Sequence, residues 1–219
     1  SRGPNGAVTM SLDYDWGPLH DQNLNHPLID RPLGAGWNVM HDCWAVENLH
    51  EYFFRNGDRE TLAAGWPATA RALRTIRGNA GSRGLVESCF GGADYSVQCG
   101  RPQSPDPCDN RTISSRLSGV EDHALLFHAC QLGAELACAA GDRETLAACR
   151  ELGALLEQNF MPVFFNPENG FFLDCVWPKD NPVHRNPLVR LTALMAMVGY
   201  AELLSMGEWQ RLADFVVRR

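Results

Sequence analysis

The sequence lacks a basic run, a long apolar segment and closely paired cysteines, and each absence argues against a class of protein. Its 219 residues carry 19 Lys and Arg against 26 Asp and Glu, a formal net charge of −7. An acidic chain without a basic patch is not typical of proteins that bind nucleic acid or anionic membranes. The most apolar stretch, residues 191–201, is too short to span a bilayer and indicates a buried helix. We therefore expect neither nucleic acid nor membrane as a partner.

The cysteines show no arrangement that is typical of a metal site. None of the eight forms a Cys-x-x-Cys pair, which argues against zinc. His41, His50 and His128 show no ligand spacing with one another. Three cysteines lie in helical sequence, where a free thiol behaves as a small core residue: Cys130, Cys138 and Cys149. We predict no metal, no cofactor and mostly reduced thiols. The compartment stays open, with a cytoplasmic location favoured over a secreted one.

One string of eight residues, Gly-Asp-Arg-Glu-Thr-Leu-Ala-Ala, occurs twice, at 57–64 and at 141–148. In each copy the Gly can take the left-handed conformation that ends a helix, and the Asp after it can cap the next helix. A looser third copy follows at 207–212. We interpret each copy as a tight turn between two helices, so the repeat predicts a series of helical hairpins.

The apolar residues that flank these turns recur at helical spacing and predict an all-α fold. We expect a single domain over residues 1–219, with a lead-in at 1–35. About three hairpins should follow, at about 36–77, 119–160 and 188–219.

Two long connections separate these hairpins, at 78–118 and at 161–187. Loops longer than about 12–15 residues inside a compact domain are usually functional or disordered, and the Gly, aromatic and acidic residues in these two favour a function. In an up-and-down array, every short turn lies at one end and every long connection at the other. We therefore expect the functional site on the face of the long connections.

Three segments resemble the six-hairpin (α/α)6 glycosidases. Residues 118–123, Ser-Gly-Val-Glu-Asp-His, resemble the Ser-Gly-apolar-Asp segment that carries the general acid in trehalases and in processing α-glucosidases. Residues 36–44 resemble the Trp- and Asp-rich start of an inner helix that lines the sugar pocket. Residues 190–209 resemble a segment before the last hairpins of glycogen-debranching-type enzymes. The resemblance implies an (α/α)6 toroid, of which this chain holds about three of the six hairpins.

The same resemblance implies a glycoside hydrolase, inverting, that acts on an α-linked glucoside-type oligosaccharide. Glu121 matches the position of the general acid, where the family usually has Asp. Asp122 follows it directly and is the second catalytic candidate. The family's catalytic base comes from the later half of the barrel, so we expect it outside this chain. The implied partners are a carbohydrate substrate and the remainder of the barrel, from a later chain segment or a partner subunit.

Sugar pockets combine carboxylates, other polar groups and aromatic rings. The residues predicted to contact the sugar are Trp37, Asp42, Trp44, Glu87, Asp94, Tyr95, Arg116 and His123. Each type also has a structural interpretation. The tryptophans fit core packing, the loop residues fit a solvated surface, and Glu121 and Asp122 fit the positive end of a helix.

Two other functions stay open from the sequence. A disaccharide phosphorylase or a sugar epimerase can be built on the same fold, and a phosphorylase needs no protein base because phosphate attacks the sugar. A non-catalytic helical-repeat interaction module would have short links and repeats of about 34 residues. The offset of 84 residues between the two copies argues against that module.

Overall fold

The computed structural model describes residues 39–87, 118–177, 179–186 and 204–218, so the predicted lead-in and most of the third predicted hairpin lie outside it. Helices account for most of these residues, which confirms the predicted all-α class. None of the helices in these four ranges is long and apolar enough to cross a membrane.

Five helices and five short strands form within the described ranges. The helices are α1 (Val39–Asn56), α2 (Arg59–Asn79), α3 (Val120–Ala140), α4 (Arg143–Phe164) and α5 (Met206–Val217). The strands are β1 (Ser118–Gly119), β2 (Phe165–Asn166), β3 (Phe171–Phe172), β4 (Cys175–Trp177) and β5 (His184–Asn186). Helices α1 and α2 form one hairpin and α3 and α4 form a second, while α5 belongs to the third predicted hairpin.

The two identical Gly-Asp strings form the same turn. Gly57 and Gly141 adopt the left-handed conformation, with φ angles of 66° and 71°. Asp58 caps α2 by accepting hydrogen bonds from the backbone N–H groups of residues 60 and 61. Asp142 caps α4 in the same way through the N–H of Thr145. The local chemistry of the repeat therefore closes both hairpins.

Helix α3 lies inside the packed helices. It contacts α1, α2 and α4, and it is buried on several sides. Helix α4 instead buries one face, through residues at helical spacing: Cys149, Leu152, Leu156, Phe160 and Val163. We call α1 and α3, which contact each other and begin the two hairpins, the inner helices, and we call α2 and α4 the outer helices.

The caps differ in one respect, because Asp142 also bonds to the first hairpin. Its Oδ2 accepts hydrogen bonds from Trp66 Nε1 at 3.2 Å and from an Arg74 guanidinium nitrogen at 3.3 Å, both on α2. Burial raises the pKa of Asp142, but the bonds from Thr145 and Trp66 and the charge of Arg74 outweigh it and lower that pKa. Asp142 thus connects the two hairpins.

We expect D142A to lower the free energy of unfolding by about 2–3 kcal/mol, from a lost helix cap and lost hydrogen bonds to α2. The matched control, D58A, removes a cap of the same sequence without a bond to another hairpin, so its loss should be clearly smaller. Urea unfolding of both variants measures the difference. Equal losses would mean that the bonds from Asp142 to α2 contribute nothing to stability.

The predicted third turn, at 207–212, is wrong. Helix α5 begins at Met206, so Gly207 lies inside the helix. Ser205 is the N-cap, and its side chain and that of Glu208 bond reciprocally to each other's backbone N–H. This capping box satisfies two helix N–H groups, which explains why the helix begins before the glycine.

The second long connection is more regular than a loop. Helix α4 continues to Phe164, and β2 then pairs with β3 in an antiparallel hairpin. The turn between them contains Gly170, with a φ of 75°. Strands β1, β4 and β5 form a second sheet in that order. The 161–187 connection is therefore held against the start of α3 by backbone pairing.

Candidate functional site

The two inner helices run in the same direction and begin at the same face. Near their starts, the carboxylates of Asp42 on α1 and Asp122 on α3 are both close enough to Cys43 to raise the pKa of its thiol. Further along, His50 on α1 bonds to Glu135 on α3 at 2.7 Å. The Gly-Asp turns lie at the other ends of these helices, about 30 Å away at about 1.5 Å per residue.

Three of the predicted acidic residues lie in the first turns of the inner helices, and all are buried. Asp42 is 1% exposed, Glu121 is 5% exposed and Asp122 is 0% exposed. Burying a carboxyl group costs free energy unless polar or charged groups compensate it. A group of acids is therefore concentrated at the face of the long connections, where the topology of the hairpins predicts a site.

Burial at this face also affects the thiol between the acids. The pKa of Cys43 is raised well above its usual value, mainly by burial and then by the neighbouring Cys130, Asp42 and Asp122. A protonated, buried thiol is a poor nucleophile. Cys43 thus packs between the inner helices as a small apolar residue.

A fourth acid, Asp174, lies at the same place and was not among the predicted site residues. Its backbone carbonyl accepts the N–H of Val120 at 3.0 Å, and its side chain is only 5% exposed. Strand β4 follows it and pairs with β1, with Cys175 opposite Gly119. The sequence held a signal for it, an acid directly after an apolar run in a long connection.

His123 lies in the same first turn of α3, completely buried. Its Nε2 accepts the backbone N–H of Val86 at 2.9 Å, and its Nδ1 lies 2.6 Å from the carbonyl oxygen of Gly119. Nδ1 must therefore carry the proton and donate it to that oxygen. Burial lowers the pKa of His123 to about 4, although the Gly119 bond opposes this, so the ring is neutral near pH 7. These contacts favour a positioning role over direct contact with a sugar.

Glu87 joins the two long connections. Its Oε1 accepts the backbone N–H of Lys179 at 3.2 Å, and the Lys179 ammonium group donates to the carbonyl of Asn79. The Glu87 side chain is half-buried. Glu87 is thereby held near the start of α3 by the connection that carries Asp174.

Trp44 lies on a different side of α1 from Asp42. The two residues are about 200° apart around the helix, and Trp44 is 40% exposed whereas Asp42 is buried. An exposed indole can stack on a sugar ring, but this one does not lie beside the buried acids. Four predicted sugar contacts, Trp37, Asp94, Tyr95 and Arg116, lie outside the described residues.

The described part of the chain holds no group of three or more His, Cys, Asp or Glu side chains arranged to bind a metal ion. The buried acids of this face supply carboxyl groups, which donate a hydrogen bond when protonated and accept hydrogen bonds when charged. Such groups can protonate a leaving oxygen or bind hydroxyl groups.

The comparisons with known proteins identify a fold. No family model and no curated protein matches the sequence. Among solved structures, a rhamnosidase from Klebsiella oxytoca with rhamnose bound matches with a TM-score of 0.56 and 14% identity. The match covers 83% of this chain and 31% of that chain.

At that identity the match shows the fold alone. It confirms the predicted fold class, helical hairpins of an (α/α)6 toroid. The chain spans about a third of the rhamnosidase that it matches. That protein is a glycosidase, so this chain has a fold on which a glycoside hydrolase is built.

Proposed function

We propose that this chain is the part of a glycoside hydrolase that carries the general acid. The observation behind this proposal is the burial of Asp42, Glu121 and Asp122 together at the face where both inner helices begin. The fold shared with a glycosidase supports the same function. The sugar would bind at this face, beside the first turn of α3.

Glu121 is the residue that we assign as the acid. Asp122 is completely buried and raises the pKa of Cys43, so it lies in the interface between the inner helices. Glu121 lies about 100° further round α3, has a longer side chain and keeps a small exposed fraction.

In the proposed reaction, Glu121 donates its proton to the oxygen of the leaving sugar as the glycosidic bond breaks. A second carboxylate, outside this chain, takes a proton from the water that attacks the opposite side of the sugar. In an inverting enzyme the two carboxyl groups stand about 6.5–9.5 Å apart, which leaves room for that water. In this proposal, Asp42, Glu87 and Asp174 would accept hydrogen bonds from the sugar hydroxyls.

The substrate that we propose is an α-linked glucoside-type oligosaccharide, because residues 118–123 resemble the acid segment of processing α-glucosidases and trehalases. A rhamnoside is the second candidate. It is favoured by the match to a structure that holds rhamnose.

Turnover assays on the intact protein test this function. The substrates are 4-nitrophenyl α-glucoside, 4-nitrophenyl α-rhamnoside and an unactivated α-linked disaccharide, with and without inorganic phosphate. Proton NMR of the first product gives its anomeric form, and we expect inversion. A retained anomer would overturn the inverting mechanism, while a requirement for phosphate would identify a phosphorylase. No turnover of any glycoside would leave the interaction module as the better interpretation.

A further inference from the structure

The peptide groups of Val86 are held from both sides by the segment that begins α3. The Val86 N–H donates to His123 Nε2 at 2.9 Å, and the Val86 carbonyl accepts the Ser118 hydroxyl at 2.8 Å. Both bonds are buried and join residues more than 30 positions apart in the sequence. We call Ser118, His123 and the Val86 peptide the Val86 clamp.

The clamp depends on one tautomer of His123. Nδ1 donates to the Gly119 carbonyl, so Nε2 is left as the acceptor that the Val86 N–H needs. Gly119 is the N-cap of α3, so this bond also fixes the ring against the start of its own helix. A charged ring would have a proton on both nitrogens and could not accept the Val86 bond.

The residues on either side of the clamp are acids of the proposed site. Glu121 lies two positions before His123 in the same helical turn, and Glu87 directly follows Val86. Glu87 continues the connection by accepting the N–H of Lys179. A shift of segment 84–87 relative to α3 would therefore change the distance between these acids.

We propose that His123 is a positioning residue that fixes segment 84–87 against the first turn of α3. It thereby determines the position of Glu87 relative to Glu121. This inference rests on the proposed function for its effect on turnover. Misplacement by about 1 Å can lower the rate about a hundredfold, so the clamp matters even though His123 itself touches no reacting atom.

Two variants test the two hydrogen bonds of the His123 ring separately. H123N can still donate to the Gly119 carbonyl, since Asn56, Asn79 and Asn159 already bond to the carbonyl four residues earlier in their helices. It has no acceptor that reaches Val86. H123Q extends further, so its amide oxygen can accept the Val86 N–H.

We expect H123N to lower kcat by about tenfold to a hundredfold and H123Q to recover most of that loss. Hydrogen exchange of a peptide that contains the Val86 amide should be at least about tenfold faster in H123N, and near the wild-type rate in H123Q. H50Q is the matched control, because His50 bonds only at the α1–α3 surface far along the helices, and its kcat should not change.

The outcomes separate this proposal from the proposed function. Unchanged exchange at Val86 in H123N would overturn the clamp. Faster exchange with an unchanged kcat would leave a structural bond and overturn the positioning role. If the wild type turns over no glycoside, the proposed function fails, while the exchange measurement still decides whether the clamp exists.

Discussion

E121Q should lower kcat on an unactivated α-linked disaccharide by about 10²–10⁴-fold with little change in KM, as expected for loss of a general acid. Glutamine has nearly the same shape and can donate a hydrogen bond, but it cannot release a proton to the leaving oxygen. The loss should be at least about tenfold smaller on an aryl glycoside, since a good leaving group needs less protonation. The basic limb of the pH profile, which reports the acid, should also disappear.

The matched control is E144Q. Glu144 lies in the first turn of α4, as Glu121 does in α3, but its side chain is 79% exposed and it lies at the end of the Gly-Asp turns. Its kcat should equal that of the wild type. If D122N rather than E121Q loses more kcat on the disaccharide than on the aryl glycoside, the acid is Asp122. If neither shows it, the proposed site is wrong.

The hairpins could be predicted from the sequence because their signals are local. A glycine that ends one helix and an aspartate that caps the next need no distant partner, so the repeat places both turns correctly. The capping box of α5 is equally local, in Ser205 and Glu208 three residues apart. The resemblance of residues 207–212 to the repeat obscured that signal.

The strands and the clamp could not be predicted in the same way. The pairing of β1 with β4 joins Gly119 to Cys175, and the tautomer of His123 depends on an N–H at Val86. Nothing near His123 in the sequence indicates either partner. Asp174 did have a local signal, an acid directly after an apolar run, but only the pairing of these strands brings it to the start of α3.

The position of the buried acids could be predicted in part from the sequence. Hairpin topology predicts that residues after the long connections share one end, and α1 and α3 do begin together. Which acid is buried in the interface and which keeps some exposure depends on a rotation of about 100° around α3. A sequence pattern gives that rotation only when the neighbours of the helix are known.

The second large effect is expected at Gly84, which begins the segment held by the clamp. Its φ of +79° is a left-handed conformation that other residues adopt at a cost. A Cβ there would lie 3.1 Å from Leu155 Cβ and 3.2 Å from the backbone nitrogen of Leu156. Because those atoms belong to the backbone and first side-chain position of α4, they cannot rotate away. We expect G84A to lower the free energy of unfolding by about 3–4 kcal/mol.

Gly170 provides the matched control in the other long connection. Its φ of +75° is nearly the same, but a Cβ there meets nothing within 4 Å. G170A should therefore lose only the cost of the left-handed conformation, about 1–2 kcal/mol. Urea unfolding measures both variants, and their difference isolates the close packing of Gly84 on α4. Equal losses would show that segment 84–87 can move away from α4, and a segment that loose could not hold Glu87 in place.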